Sequence, residues 1–269
     1  DKLDGGEGDD SLIGGEGHDL LDGGDGNDVL NGGDGRNRLV GGDGDDTITA
    51  GNGDDRVEAG EGRNNVDAGD GRNMVTSGNG DDTIVTGSGD DRITAIGGNN
   101  FINAGDGKNQ IRSGAGNDTI ISGVKDDKIT AGDGDNHINA GDGGNQILTG
   151  NGNDTIIGGS GGDKVTSGEG DDNINAGEGR NQIKSGGGND IITTGDGHDR
   201  IDAGDGDDII NAGDGTNQIK SGKGNDVITA GSGTDKVDAS DGDDLVNVGA
   251  GNNQVKSGTG NDTVIAGSG

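Results

Sequence analysis

Aliphatic residues recur along this chain at strict nine-residue intervals. The series begins with Leu12, Leu21 and Leu30 and ends with Val255 and Val264, and all 29 members are Leu, Ile or Val. Each sits in a short x-aliphatic-x segment that alternates out-in-out, the period-two pattern of a strand. The six residues before that segment read small-Gly-x-Gly-x-Asp/Asn, as in GGEGDDSLI (5–13) and SGAGNDTII (113–121). Glycine in the second and fourth places is turn chemistry, because φ > 0 costs it no steric clash. Strand, turn, strand, turn makes a coil of 18 residues with one strand on each side. Stacked coils give two parallel sheets with the aliphatics between them. The expected fold is therefore all-β, a parallel β-roll or β-solenoid, rising about 4.8 Å per coil to a rod of roughly 70 Å.

Composition sharpens this picture. A net charge of −33 with only 23% hydrophobic residues would ordinarily read as disorder, but disorder has no use for an aliphatic residue at every ninth place. The core is nevertheless thin, with one Phe and no Trp or Tyr. One aliphatic side chain per repeat does little against the entropy of ordering a backbone that is one-quarter glycine. A bound counter-charge is needed, and 52 acidic residues against 19 Lys and Arg make it a cation.

The same numbers exclude several function classes. The chain has no Cys, hence no disulfide or thiolate site. Its acidity argues against nucleic acid, and no apolar run is long enough for membrane insertion. His18, His137 and His198 are isolated, and acidic pairs such as Asp45-Asp46 recur turn after turn, so neither reads as catalytic machinery and no enzyme is expected. The pattern fills residues 1–269 as a single array and begins and ends mid-pattern, so a segment of a longer protein is expected.

Stacking places each sixth-position residue over the one 18 residues away, which creates a file of carboxylates along each edge. A hard divalent cation between successive turns relieves their repulsion, taking carboxylate oxygens and glycine-turn carbonyls. An all-oxygen donor set suits Ca²⁺ better than Zn²⁺.

On these residues the chain resembles a known family. GGEGDDSLI (5–13), GGDGNDVLN (23–31) and SGNGDDTIV (77–85) look like the repeat-in-toxin, or hemolysin-type, calcium-binding nonapeptide, and the likeness covers essentially the whole chain. The resemblance implies a calcium-loaded parallel β-roll, secretion as an unfolded chain and folding in external calcium. It carries a metal-ligand role to the sixth-position aspartates: Asp10, Asp19, Asp28, Asp46, Asp55, Asp82, Asp91, Asp118, Asp127, Asp154, Asp163, Asp172, Asp190, Asp199, Asp208, Asp226, Asp235, Asp244 and Asp262.

Ten sixth positions are Asn instead. Asn37, Asn73, Asn109, Asn145, Asn181, Asn217 and Asn253 recur every 36 residues, and Asn64, Asn100 and Asn136 form a shorter series. Weakened or lost calcium sites are expected there, against full binding along the file that contains Asp118, Asp154, Asp190 and Asp226. Arg36, Arg63, Arg72, Lys108 and Arg180 precede five of these Asn and are expected to supply part of the missing positive charge.

The two outer faces also differ. One carries 11 of the 19 cations, among them Arg38, Lys128 and Lys220, interleaved with Gln110 and Gln146. Interleaving keeps like charges from stacking in an in-register ladder. The other face has no Lys or Arg and is a candidate for self-association. Together these features point to a calcium-dependent structural rod of a secreted or cell-surface bacterial protein, of adhesin, surface-layer or filament type. The competing readings are an accessory export and folding module of a secreted enzyme or toxin and, below it, ice binding by the Thr/Asn face.

Overall fold

The computed structural model describes residues 1–268 and contains strands and turns without helix. The chain divides into two units, Asp1–Asp133 and a second from Gly134 onward. In the first unit, one sheet runs from Lys2–Glu7 to Lys128–Thr130 and the other from Ser11–Gly17 to Thr119–Ile121. In the second, the sheets run from Gln146–Leu148 to Gln254–Lys256 and from His137–Asn139 to Thr263–Ile265. Strand pairing is parallel and in register. Ile84 faces Ile102, and Ile192 faces Ile210, so each coil takes 18 residues, as the repeat predicts.

Residues two apart on a strand share a face, and here three successive alternate places turn inward. Asp28, Leu30 and Gly32 are all buried: the sixth, the eighth and the following first position. Every eighth-position aliphatic from Leu21 to Val246 is at most 3% exposed, whereas Val264 on the last strand is 46% exposed. The first positions, such as Ala50, Ser167 and Ala203, thicken the core with small side chains.

The turn glycines are needed twice over. Gly24 has φ +106, and a Cβ there would stand 2.0 Å from the Gly6 carbonyl oxygen of the preceding coil. Among the described residues only Lys125 (φ 89) and Ser240 (φ 73) hold such a conformation without being glycine, and both stand where the repeat calls for glycine. Ile96, at the same place as Ser240 in its own repeat, does not adopt it.

The cation-bearing sheet is laced by ladder pairs. Arg38 and Arg56 are register neighbours, and both reach Glu58, at 3.1 and 2.7 Å. In the second unit Lys220 and Asp238 are register neighbours, while Lys220 pairs with Asp202 (3.6 Å) and Lys256 with Asp238 (3.1 Å). Charges alternate along Asp202, Lys220, Asp238 and Lys256, whereas Arg38 and Arg56 stack as like charges, contrary to the interleaving expected, and are bridged by Glu58.

Candidate metal centres

The sixth-position side chain is the link from coil to coil at each edge. The Asp10 amide donates to Asp28 Oδ1 (2.8 Å), and the Asp28 amide donates to Asp46 Oδ1 (2.8 Å). The second unit repeats the arrangement from Asp154 through Asp172, Asp190, Asp208, Asp226 and Asp244 to Asp262, at 2.8–3.1 Å. One carboxylate oxygen is therefore committed to the backbone of the preceding coil.

The other oxygen points into the turn. A Cβ placed on Gly23 would stand 2.2 Å from Asp28 Oδ2 and 2.7 Å from the Gly41 carbonyl oxygen of the next coil. Two acceptors thus share the space in front of Gly23 with no donor between them. The same orphaned, buried Oδ2 occurs at Asp19, Asp46, Asp55, Asp163, Asp208, Asp235 and Asp244, and at half-buried Asp10. An unpaired buried acceptor costs free energy, more so when charged. Burial pushes several inward carboxyls up, to about 7 at Asp208, where Asp190 and Asp226 add repulsion, and to about 6 at Asp46 and Asp163 and, in turns with a first-position hydroxyl, at Asp127 and Asp172.

In the remaining Asp turns the first position is a hydroxyl residue. Ser77 precedes Asp82, Thr86 Asp91, Ser113 Asp118, Ser122 Asp127, Thr149 Asp154, Ser167 Asp172, Ser185 Asp190, Thr194 Asp199, Ser221 Asp226 and Ser257 Asp262. Several of these hydroxyls donate to the first-position carbonyl of the next coil: Thr149 to Ser167 (2.7 Å), Ser185 to Ala203 (2.9 Å) and Ser221 to Ala239 (2.9 Å). They also lie against their own carboxyls, partly offsetting the effect of burial at Asp172 and Asp190. In the repeat pattern these side chains stand out only as small. Their exclusive association with Asp was the available signal.

Position five also links successive coils. It runs a second ladder in the opposite sense, in which the later coil donates to the earlier side chain. The Asn27 amide donates to Asp9 Oδ1 (2.8 Å), and the Arg63 amide to Asp45 Oδ1 (2.7 Å). His18 and His198 serve in the same way through Nδ1, each accepting an amide at 3.0 Å. The acidic pairs thus divide their labour, one member facing out to hold the turn and one facing in.

Two expectations about the Asn turns change. The file that contains Asp118, Asp154, Asp190 and Asp226 is not uniformly carboxylate, since Asn64, Asn100 and Asn136 interrupt it; its unbroken stretch in the second unit is Asp154 to Asp262. Of the basic residues preceding Asn, Arg63, Arg72 and Lys108 pair outside the turn with position-five acids, Arg63 with Asp45 (3.9 Å), Arg72 with Asp54 (2.9 Å) and Lys108 with Asp126 (3.2 Å). What lies inside the turn is the carboxamide.

Among the described residues no three His, Cys, Asp or Glu side chains converge on one point. A cation at these turns would therefore draw on backbone carbonyls beside the carboxylates. Orphaned, buried carboxylate oxygens next to inward carbonyls fit a hard cation of the calcium type. The inward carboxylate and neighbouring carbonyls would hold it, and its charge would remove the repulsion between stacked aspartates.

Comparison with known proteins agrees. The family model for the RTX calcium-binding nonapeptide repeat (4 copies) matches residues 1–30, 31–66, 58–93, 85–120, 112–147, 148–183, 184–219, 212–246 and 238–269. No curated protein matches the chain.

Proposed function

The chain belongs to the RTX calcium-binding nonapeptide repeat family, and from that premise we propose that it is a non-catalytic, calcium-assembled structural element of a protein exported to the cell surface or beyond. The observation that carries the reading is the buried Oδ2 without a donor at Asp19, Asp28, Asp46, Asp55, Asp163, Asp208, Asp235 and Asp244. A fold that buries unpaired carboxylates along its edges is held open until a cation arrives. Such a chain stays extensible where calcium is scarce and becomes rigid where it is abundant, which suits a spacer or scaffold assembled outside the cell. The residues of this reading are the sixth-position aspartates, and the cofactor is Ca²⁺.

The sheet without Lys or Arg supports a role in lateral self-association. In the second unit Ile191, Ile209, Val227 and Leu245 stack in register and are 41–51% exposed, an aliphatic stripe at the surface. Circular dichroism tests the main proposal. The chain should be a coil in EDTA and recover β-structure on adding calcium, with magnesium a poor substitute. A full β-spectrum at complete chelation would overturn it.

A further inference from the structure

The Asn turns use the same interior space as the Asp turns with the opposite chemistry. A Cβ on Gly32 would stand 2.9 Å from Asn37 Nδ2 and 2.8 Å from the Ala50 carbonyl oxygen, the stations occupied in front of Gly23 by Asp28 Oδ2 and the Gly41 carbonyl. Asn37 Oδ1 still accepts the amide of Asp19 (3.0 Å), so the coil-to-coil link is unchanged. Nδ2, however, is a donor with two hydrogens, where Oδ2 is an acceptor.

At Asn37, Asn145 and Asn217 those hydrogens go to inward carbonyls of two coils. At Asn181 one reaches Gly177 O (3.0 Å), and at Asn100 and Asn136 they go to a turn carbonyl and to Oδ1 of Asp118 and Asp154 (2.9 Å). Asn37 Nδ2 donates to Gly33 O (3.1 Å) and Ala50 O (3.2 Å). Asn145 Nδ2 reaches Gly141 O (3.1 Å) and Gly158 O (3.1 Å), and Asn217 Nδ2 reaches Gly213 O (3.2 Å) and Ala230 O (3.4 Å). The acceptors at Asn37, Asn145 and Asn217 are the second-position carbonyl of the same turn and the first-position carbonyl of the next coil.

The chain's own repeats supply an independent observation. The next-coil carbonyl is also the one taken by first-position hydroxyls, as in Ser185 to Ala203 O (2.9 Å). Hydroxyl and carboxamide are thus alternative donors to one acceptor, and no repeat carries both. All ten Ser and Thr at first positions stand in Asp turns, and all ten Asn turns have Gly, Ala or Val there.

We infer that the Asn turns are self-filled: the carboxamide Nδ2 takes the station a cation would take, so these turns close without calcium and bind none. Asp turns require the ion and Asn turns replace it with a covalently tethered N–H donor, so the 36-residue alternation on one edge is a built-in limit on how many ions the chain binds. This rests on reading the Asp turns as the calcium sites.

Native mass spectrometry of the full chain at saturating calcium counts ions directly. The double variant Asn181→Asp/Asn217→Asp should gain one ion per converted turn. Asp208→Asn, whose first position is Ala203 as in an Asn turn, should lose one ion and keep its β-structure. Asp190→Asn, beside Ser185, should fold less well, because two donors then compete for Ala203 O. An unchanged ion count in the double variant, or retention of the ion in Asp208→Asn, overturns the inference. Absence of calcium from the wild-type chain would instead overturn the reading beneath it.

Discussion

The two edges of the second unit are built from the same turn and solve the same problem in opposite ways. Along one edge the inward residues are Asp154, Asp172, Asp190, Asp208, Asp226, Asp244 and Asp262, without interruption. Along the other, Asn145, Asn181, Asn217 and Asn253 alternate with Asp163, Asp199 and Asp235. Both ladders use Oδ1 to accept an amide from the preceding coil. Around Asp199 the amide bond to Asp is shorter than the bond to Asn, 2.7 Å at Asn181 to Asp199 against 3.0 Å at Asp199 to Asn217, whereas both bonds around Asp235 are 2.9 Å. The edges part at the second side-chain atom. Where the first position is Ala, as at Asp208 and Asp244, Oδ2 leaves the inward carbonyl facing another acceptor; where it is Ser or Thr, as at Asp154 and Asp190, a hydroxyl supplies that carbonyl with one hydrogen, and on the alternating edge Nδ2 supplies it. One edge waits for a cation from solution, and the other already carries half its donors in the chain.

The largest effect should come from the core the two edges share. Ile210→Asp places an unpaired carboxylate among the eighth-position aliphatics and should cost more than about 4 kcal/mol. Calcium titration followed by circular dichroism should show both edges failing together. An unchanged folding midpoint would contradict the packing. Chelation should separate the edges. In hydrogen exchange as calcium is withdrawn, the amides of Asp172 to Asp226, held by aspartate Oδ1, should lose protection before those of Asp163 and Asp199, held by Asn181 and Asn217 Oδ1. Simultaneous loss would mean that the carboxamide contributes no independent closure.

Single truncations sharpen the contrast. Asp208→Ala should remove a calcium ion and raise the calcium concentration needed for folding. Asn217→Ala should remove no ion but leave Gly213 O and Ala230 O without their donor, at a cost of about 1–3 kcal/mol visible even at saturating calcium. Isothermal calorimetry reads the first difference and thermal denaturation the second.

The smallest effect is one of pH. Burial raises the Asp208 carboxyl from 3.8 to about 7 in the metal-free fold. Between these values the folded chain holds a proton that the unfolded chain has lost, so this stabilisation is present at low pH and disappears as pH rises through about 7. In EDTA, acidification from pH 8 toward pH 5 should therefore increase residual structure. With calcium present the proton competes with the ion, and the same acidification should weaken calcium binding. A metal-free fold insensitive to pH would show that these carboxyls are not buried.

The nine-residue period made Ile120 and Ile210 legible as core, because a period states which face a residue takes without reference to any distant partner. The coil length, the parallel register and the inward aspartates followed from the same arithmetic. The fate of Oδ2 and Nδ2 did not, because their neighbour, the first-position carbonyl of the next coil, is 13 residues ahead of Asn37 and enters no local motif. Arg72 was misplaced for a related reason. Sequence adjacency put it beside Asn73, while strand alternation sent its guanidinium outward to Asp54. The hydroxyls at Thr149, Ser185 and Ser221 were legible only through their exclusion from Asn turns, a comparison among repeats rather than within one.

The most direct test of the account is the distribution of calcium between the edges, measured by anomalous scattering from crystals grown at limiting calcium. Ions should appear along Asp154 to Asp262 and be absent from the turns of Asn145, Asn181 and Asn217. Equal occupancy of both edges would contradict the account, because it would show that backbone carbonyls alone hold the ion and that the exchange of Oδ2 for Nδ2 leaves binding unchanged.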